Sequence, residues 1–102
     1  MAIDAGYEAR LAAIDRAGLA GLLRAGLFGL EREALRVAPT GTLSAKPHPV
    51  AFGSALTHPY ITTDFSEALL ELITPALADK GELLGFLEDL HAFVQTQLGD
   101  EL

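Results

Sequence analysis

Two glutamates one residue apart, Glu31 and Glu33, are the feature of this 102-residue sequence that most directly suggests chemistry. On a β-strand an i, i+2 spacing sends both carboxylates to one side, close enough to share a cation site. Held there without a cation they would repel, and one would tend to protonate. An ordinary solvated edge strand carries glutamates at the same spacing, so spacing alone leaves both readings open. Glu71 is the next odd residue, because it interrupts Ala68-Leu69-Leu70-Glu71-Leu72-Ile73, where an unpaired charge is costly to bury. A cation ligand on a strand satisfies that pattern, and so does a helix with Glu67 and Glu71 on its wet face. Asp64 follows Ile61-Thr62-Thr63 and reads either as an oxygen ligand or as a helix N-cap.

The histidines carry less. His48 and His58 each precede a proline, as loop residues do, and His91 falls on an apolar helical stripe, where packing or bonding within the core is expected. No HxxxH or HExxH spacing supports zinc, and there is no cysteine for a thiolate site, a disulfide or a nucleophile. The glycine-rich phosphate loop, the GxGxxG turn and the GxSxG elbow are all absent.

Fourteen acidic residues against seven basic ones give a net charge of −7, which repels a phosphate backbone and excludes nucleic acid as an expected partner. Nucleotide binding stays open if carboxylates hold cations that bridge to the phosphates. Asp4 and Glu8 stand where a secretory leader would be cationic, and Ala17 to Leu30 is too short to span a bilayer and is interrupted by Arg24. A cytoplasmic location with no membrane partner is expected. Half of the residues are hydrophobic, which argues for packing rather than disorder.

The elements that must position these groups follow from periodicity. Tyr7, Leu11 and Ile14 recur at helical spacing, with Gly18 and Gly21 ending or bending that helix and Leu19, Leu22 and Leu23 forming a further short turn. A boundary is expected near Gly26, separating a helical segment, 1–25, from a second unit, 26–102. Phe28 to Val37 reads as a partly buried strand, turned at Pro39 to Gly41 into a short strand at Thr42-Leu43. Three prolines and Gly53 make Lys46 to Pro59 an ordered loop, and Tyr60 to Thr63 is a short extended piece. Phe65 to Thr74 has both helical and strand spacing. Ile73-Thr74 before Pro75 favours a strand, with Leu69, Glu71 and Ile73 on one face and Leu70 and Leu72 on the other. Asp79 with Glu82 resembles a capping box and opens a helix from about Lys80 to Leu98, stopped by Gly99.

Three runs taken together are more specific than any one of these motifs: Gly29-Leu30-Glu31-Arg32-Glu33-Ala34-Leu35-Arg36-Val37, Gly53-Ser54-Ala55-Leu56-Thr57-His58, and Ile61-Thr62-Thr63-Asp64-Phe65 through Pro75. In order and spacing they closely resemble the opening of the proteobacterial glutamate–cysteine ligases, and Asp89-Leu90-His91 extends the match. The resemblance implies an ATP-dependent ligase that activates the side-chain carboxylate of L-glutamate as a phosphate for attack by the amino group of L-cysteine. This is the first step of glutathione synthesis. By the same resemblance Glu31, Glu33, Asp64 and Glu71 hold magnesium, with manganese as an alternative, beside the ATP phosphates, and Phe65 lies near the cysteine side chain unless it merely packs. No further catalytic residue is assigned. Arg32 and Arg36 would face away from the carboxylates on a strand and are read as structural ion-pair formers.

The implied fold class is α+β: amino-terminal helices, antiparallel strands of a glutamine synthetase-like sheet, and a long carboxy-terminal amphipathic helix. Family members are much longer, so this sequence is expected to be a partial catalytic domain, inactive alone, with exposed strand edges able to self-associate and an uncovered apolar face on the last helix. The alternatives are a stand-alone acidic α+β interaction module, or another carboxylate–amine ligase differing only in substrates.

Overall fold

The computed structural model describes residues 5–102, and Asp4 lies outside the described residues. Helix α1, Ala5–Arg16, starts close to where the Tyr7–Leu11–Ile14 spacing placed it and leads to a 3-10 turn at Ala20–Leu23. Gly18 ends α1 in the left-handed region at φ +69, which an L side chain rarely adopts. Around it Gly18 N–H donates to Asp15 O and Leu19 N–H to Ile14 O, the paired bonds of a Schellman cap. No residue of α1 or the 3-10 turn is buried, and Tyr7 is 52% exposed. The radius of gyration, 19.5 Å, exceeds the roughly 13 Å expected of a compact domain this long, so the chain is elongated.

Three strands form one antiparallel sheet in the order β1-β3-β2: β1 is Glu31–Leu35, β2 is Ile61–Thr62 and β3 is Leu69–Ile73. The central strand is the segment whose periodicity was ambiguous. Its burial resolves the ambiguity, since Leu70 and Leu72 are buried on the face that receives the last helix. The β1 strand is shorter than Phe28 to Val37. Its two ends persist as isolated bridges, Phe28 to Leu77 and Val37 to Leu43, and the expected short strand at Thr42-Leu43 is reduced to the second of these. Gly41, at φ +86, makes the turn between.

Helix α2, Lys80–Gln97, is capped by Asp79, whose carboxylate accepts from Glu82 N–H at 2.8 Å. Its stripe Leu83, Leu87, Leu90, Val94 and Leu98 repeats every three or four residues. Val94 joins Phe52, Ile61, Leu70 and Leu72 in the core, flanked by Tyr60, Leu87, Leu90 and Leu98. The proline-rich loop is ordered as expected: it contains a 3-10 turn at Val50–Phe52 that delivers Phe52, wholly buried, to the core. His48 meets the Phe52 ring edge-on at 5.6 Å, and burial, followed by the Arg36 charge, lowers its pKa. The expected uncovered apolar face of α2 is not seen, because its stripe packs on the sheet; Leu84 and Phe93 are exposed singly, on opposite sides of the helix.

Two readings of β1 need correction. Leu30 and Leu35 suggested a partly buried strand, yet all five residues of β1 are exposed, because it is an edge strand covered on neither side by its own length of chain. Arg32 and Arg36 were both expected to form ion pairs. Arg36 does: its Nη1 lies 2.9 Å from Glu101 Oε2, with both side chains almost fully buried. Arg32 forms none among the described residues; Glu101, the acidic residue that lines the same groove, is taken by Arg36.

A candidate cation site on the open face of the sheet

Strand register builds this site. Glu33 pairs with Glu71 across β1 and β3, and Glu71 pairs with Thr62 across β3 and β2, so the three side chains form one row on one face. The backbone bonds Leu30–Thr74 and Arg36–Ala68 flank this ladder. By alternation they make Glu33–Glu71 a non-hydrogen-bonded pair, the type in which side chains approach most closely. Like charges directly opposite each other destabilise a sheet unless something neutralises them.

Asp64 completes the group. It lies two residues beyond Thr62, past the end of β2, and the bond from Thr62 Oγ1 to Ala55 O at 2.6 Å ties β2 to the preceding turn. One carboxylate oxygen from each of Glu33, Asp64 and Glu71 lies within 4.8 Å of the other two. No helix follows Asp64, so the N-cap alternative for it does not apply, and Glu71 stands on a strand, which removes its wet-face helix alternative. Glu31 is not in this group of three. Its partner across the ladder is Ile73, one step along, although its charge still reaches Glu71.

The electrostatics match the geometry. Glu71, half-buried, has its carboxyl pushed above the usual value, first by burial and then by the charges of Glu31, Glu33 and Asp64. The ion pairs among the described residues are Arg36–Glu101 and Lys46–Asp100, and neither touches this face. Three clustered carboxylates with no cationic side chain are an oxygen-donor set suited to a hard divalent ion such as magnesium. Phe65, beside Asp64, is 83% exposed. Its ring does not pack into the core of the described residues.

Sequence reading missed two supporting residues. Thr62 shares the carboxylate row, and alternation back from Asp64 is the signal that could have found it. His58 accepts from Tyr60 N–H at 3.0 Å and Ile61 N–H at 2.9 Å through Nδ1, which fixes where β2 begins and leaves its proton on Nε2. His91 is half-buried against a groove on the other side of the sheet, away from the carboxylates.

Comparison with known proteins gives a consistent picture. Residues 11–102 match the glutamate-cysteine ligase family. The glutamate–cysteine ligase of Alcanivorax borkumensis is 50% identical over 95 residues, which is 93% of this chain and 18% of that protein. The Pseudomonas entomophila ligase is 61% identical over 71 residues, 70% of this chain and 13% of that protein. Among solved structures, the Francisella tularensis glutamate–cysteine ligase in complex with AMP superposes with a TM-score of 0.73 at 44% identity, covering 76% of this chain and 16% of that one. A bifunctional glutathione synthetase from Pasteurella multocida superposes at 0.77 with 42% identity, covering 86% and 12%. The chain thus spans less than a fifth of the length of the relatives it matches. With most of its length matched and its α+β sheet shared with these solved structures, the chain belongs to the glutamate-cysteine ligase family.

Proposed function

We propose that this chain supplies part of the cation site of an ATP-dependent ligase joining the side-chain carboxylate of L-glutamate to the amino group of L-cysteine through a γ-glutamyl phosphate. The observation that carries the reading is the convergence of Glu33, Asp64 and Glu71, three carboxylates without a cationic partner. These residues hold magnesium, or manganese in its place, with Glu31 alongside as a further negative charge. A bound divalent ion would neutralise phosphate charge during phosphoryl transfer. The AMP held by the Francisella relative supports a nucleotide as co-substrate.

Phe65 presents its exposed ring to the thiol-bearing side chain of cysteine. Residues 26–102 act as a partial catalytic domain and 1–25 as a separate helical segment. The remaining groups for adenine and glutamate come from ligase sequence outside these residues, so the 102-residue chain alone is inactive. The enzyme works in the cytoplasm; among the described residues no helix is long and apolar enough to cross a membrane.

The test is ATP hydrolysis dependent on glutamate, cysteine and magnesium in a ligase polypeptide of the relatives' full length carrying this sequence. Glu33→Ala and Glu71→Ala should each lower it at least about 100-fold, the upper end of the cost of losing even a supporting partner of a metal ligand. Unchanged turnover in both variants would sink the assignment.

A further inference from the structure

The short strand β2 consists of Ile61 and Thr62. Ile61 is wholly buried in the core, so Thr62 turns its side chain to the opposite face, the one that carries Glu33 and Glu71. Ile73 N–H donates to Tyr60 O at 2.8 Å, which marks Tyr60–Ile73 as a hydrogen-bonded pair. Two steps along, Thr62–Glu71 is a pair of the same type, whereas Glu33–Glu71 is of the non-hydrogen-bonded type. Facing Cα atoms stand about 5.5 Å apart in the first type and about 4.5 Å in the second. Glu71 thus has a close neighbour in Glu33 and a more distant one in Thr62.

The hydrogen of the Thr62 hydroxyl is already committed. Oγ1 donates to Ala55 O at 2.6 Å, with Thr63 O at 3.2 Å as a weaker second acceptor, and not to Glu71. A hydroxyl has one hydrogen and two lone pairs, so what Thr62 offers above the carboxylate row is an acceptor oxygen. The carbonyl that takes the hydrogen belongs to a turn with bonds of its own: Thr57 N–H and His58 N–H donate to Ser54 O, and Leu56 N–H donates to Ser54 Oγ. An anchored turn keeps the hydroxyl from rotating. Magnesium gives up its waters reluctantly and keeps several of them when carboxylate ligands are few. Each of those waters is a hydrogen-bond donor. A neutral acceptor holds such a water without adding negative charge to a face where Glu31, Glu33 and Asp64 already act on Glu71.

We propose that Thr62 is a positioning residue of the cation site: its hydroxyl, tied down by Ala55 O, accepts a hydrogen bond from a water on the divalent ion and so orients the ion over Glu33, Asp64 and Glu71. The inference rests on the cation site proposed above and adds to it a residue that is not a ligand. A purely structural Thr62, serving only to tie β2 to the turn, makes a different prediction, because any loosening of that turn would then weaken the site equally.

The experiment is a titration of manganese, read from the electron paramagnetic resonance of the free ion, into the 102-residue chain and its Thr62→Val, Thr62→Ser and Ser54→Ala variants. Circular dichroism checks that each variant is folded. Valine keeps the β-branched shape that strands favour, and Thr62→Ala takes its place if that variant does not fold. Thr62→Val should bind manganese about 10-fold more weakly than the parent, the lower end of the cost of losing an outer partner of a metal site. Thr62→Ser keeps the oxygen and should bind as the parent does. Ser54→Ala loosens the turn while leaving the Thr62 hydroxyl in place, and it too should bind as the parent does. The waters on the bound manganese, counted by proton relaxation, should be equal in number in the parent and in Thr62→Val. One more water in the variant would make Thr62 a direct ligand and overturn the assignment. Equal affinity in the parent and Thr62→Val overturns it as well, as does weakened binding in Thr62→Ser or a loss in Ser54→Ala that matches the one in Thr62→Val. No saturable binding by the parent is a separate failure: it removes the cation site itself, and the role of Thr62 with it.

Discussion

Glu101 and Glu71 are carboxylates of one small structure placed in opposite circumstances. Burial alone would raise the Glu101 carboxyl, but hydrogen bonds from Ser44 and Arg36, together with the Arg36 charge, outweigh it and hold the group below its usual value. Glu71 has burial and three like charges acting together, and its pKa rises. One site is internally neutralised and joins β1 to the end of α2. The other is left with negative charge that only something outside the described residues can balance. A structural ion pair and a ligand site are thus distinguished by whether the chain supplies the counter-charge itself.

The largest effect that would break this comparison is on the ion pair. Arg36 also donates from Nη2 to Lys46 O at 2.9 Å and Glu67 O at 3.0 Å, so it ties the proline-rich loop and the turn before β3 to β1. Glu101→Ala leaves that guanidinium buried without its counter-charge and should cost about 3–5 kcal/mol in a urea titration. Arg36→Met with Glu101→Leu should recover much of the loss, since removing both charges avoids the unpaired one. A double variant no better than the single one would mean that the hydrogen bonds to the loop carbonyls dominate.

The next effect is on pH. The folded-state pKa of Glu101 lies below its ordinary value of 4.5, so its contribution to stability is present above that value and is lost as pH falls through the folded pKa. Glu71 has the opposite sign: its raised folded-state pKa favours folding at acid pH, and that contribution is lost as pH rises through the folded pKa. Acid unfolding followed by circular dichroism should therefore move to higher pH when a second variant weakens the Ser44–Glu101 bond, as in Ser44→Ala. At neutral pH without divalent cation, Glu71→Gln should raise the melting temperature slightly, because it removes one of the clustered charges. A lower melting temperature would show the cluster to be internally balanced. The smallest effect belongs to the exposed pair: Lys46 and Asp100 meet at 2.8 Å on the surface, and Lys46→Ala should leave the melting temperature unchanged within error.

How far the sequence reveals these features depends on how local their causes are. α2 is legible because its cap and its stripe are both short-range patterns. β3 is legible only through Ile73-Thr74-Pro75, since its apolar spacing fits a helix equally well and burial between α2 and its neighbours decides the matter. The carboxylate residues are legible as types. Their grouping depends on strand register, which puts Glu71 opposite Glu33 and moves Glu31 one step away. The Arg36–Glu101 pair spans 65 positions and has no local signature at all. Exposure of β1 is equally illegible, because it reflects what is absent beside the strand rather than what the strand contains.

Calorimetric titration of magnesium, and of manganese as a competitor, into the 102-residue chain and its Glu71→Gln variant tests the cation site most directly. Saturable binding that raises the melting temperature of the parent chain, and that weakens at least about 10-fold in the variant, is the predicted result. Equal binding by both chains, or none by the parent at millimolar metal, would contradict it.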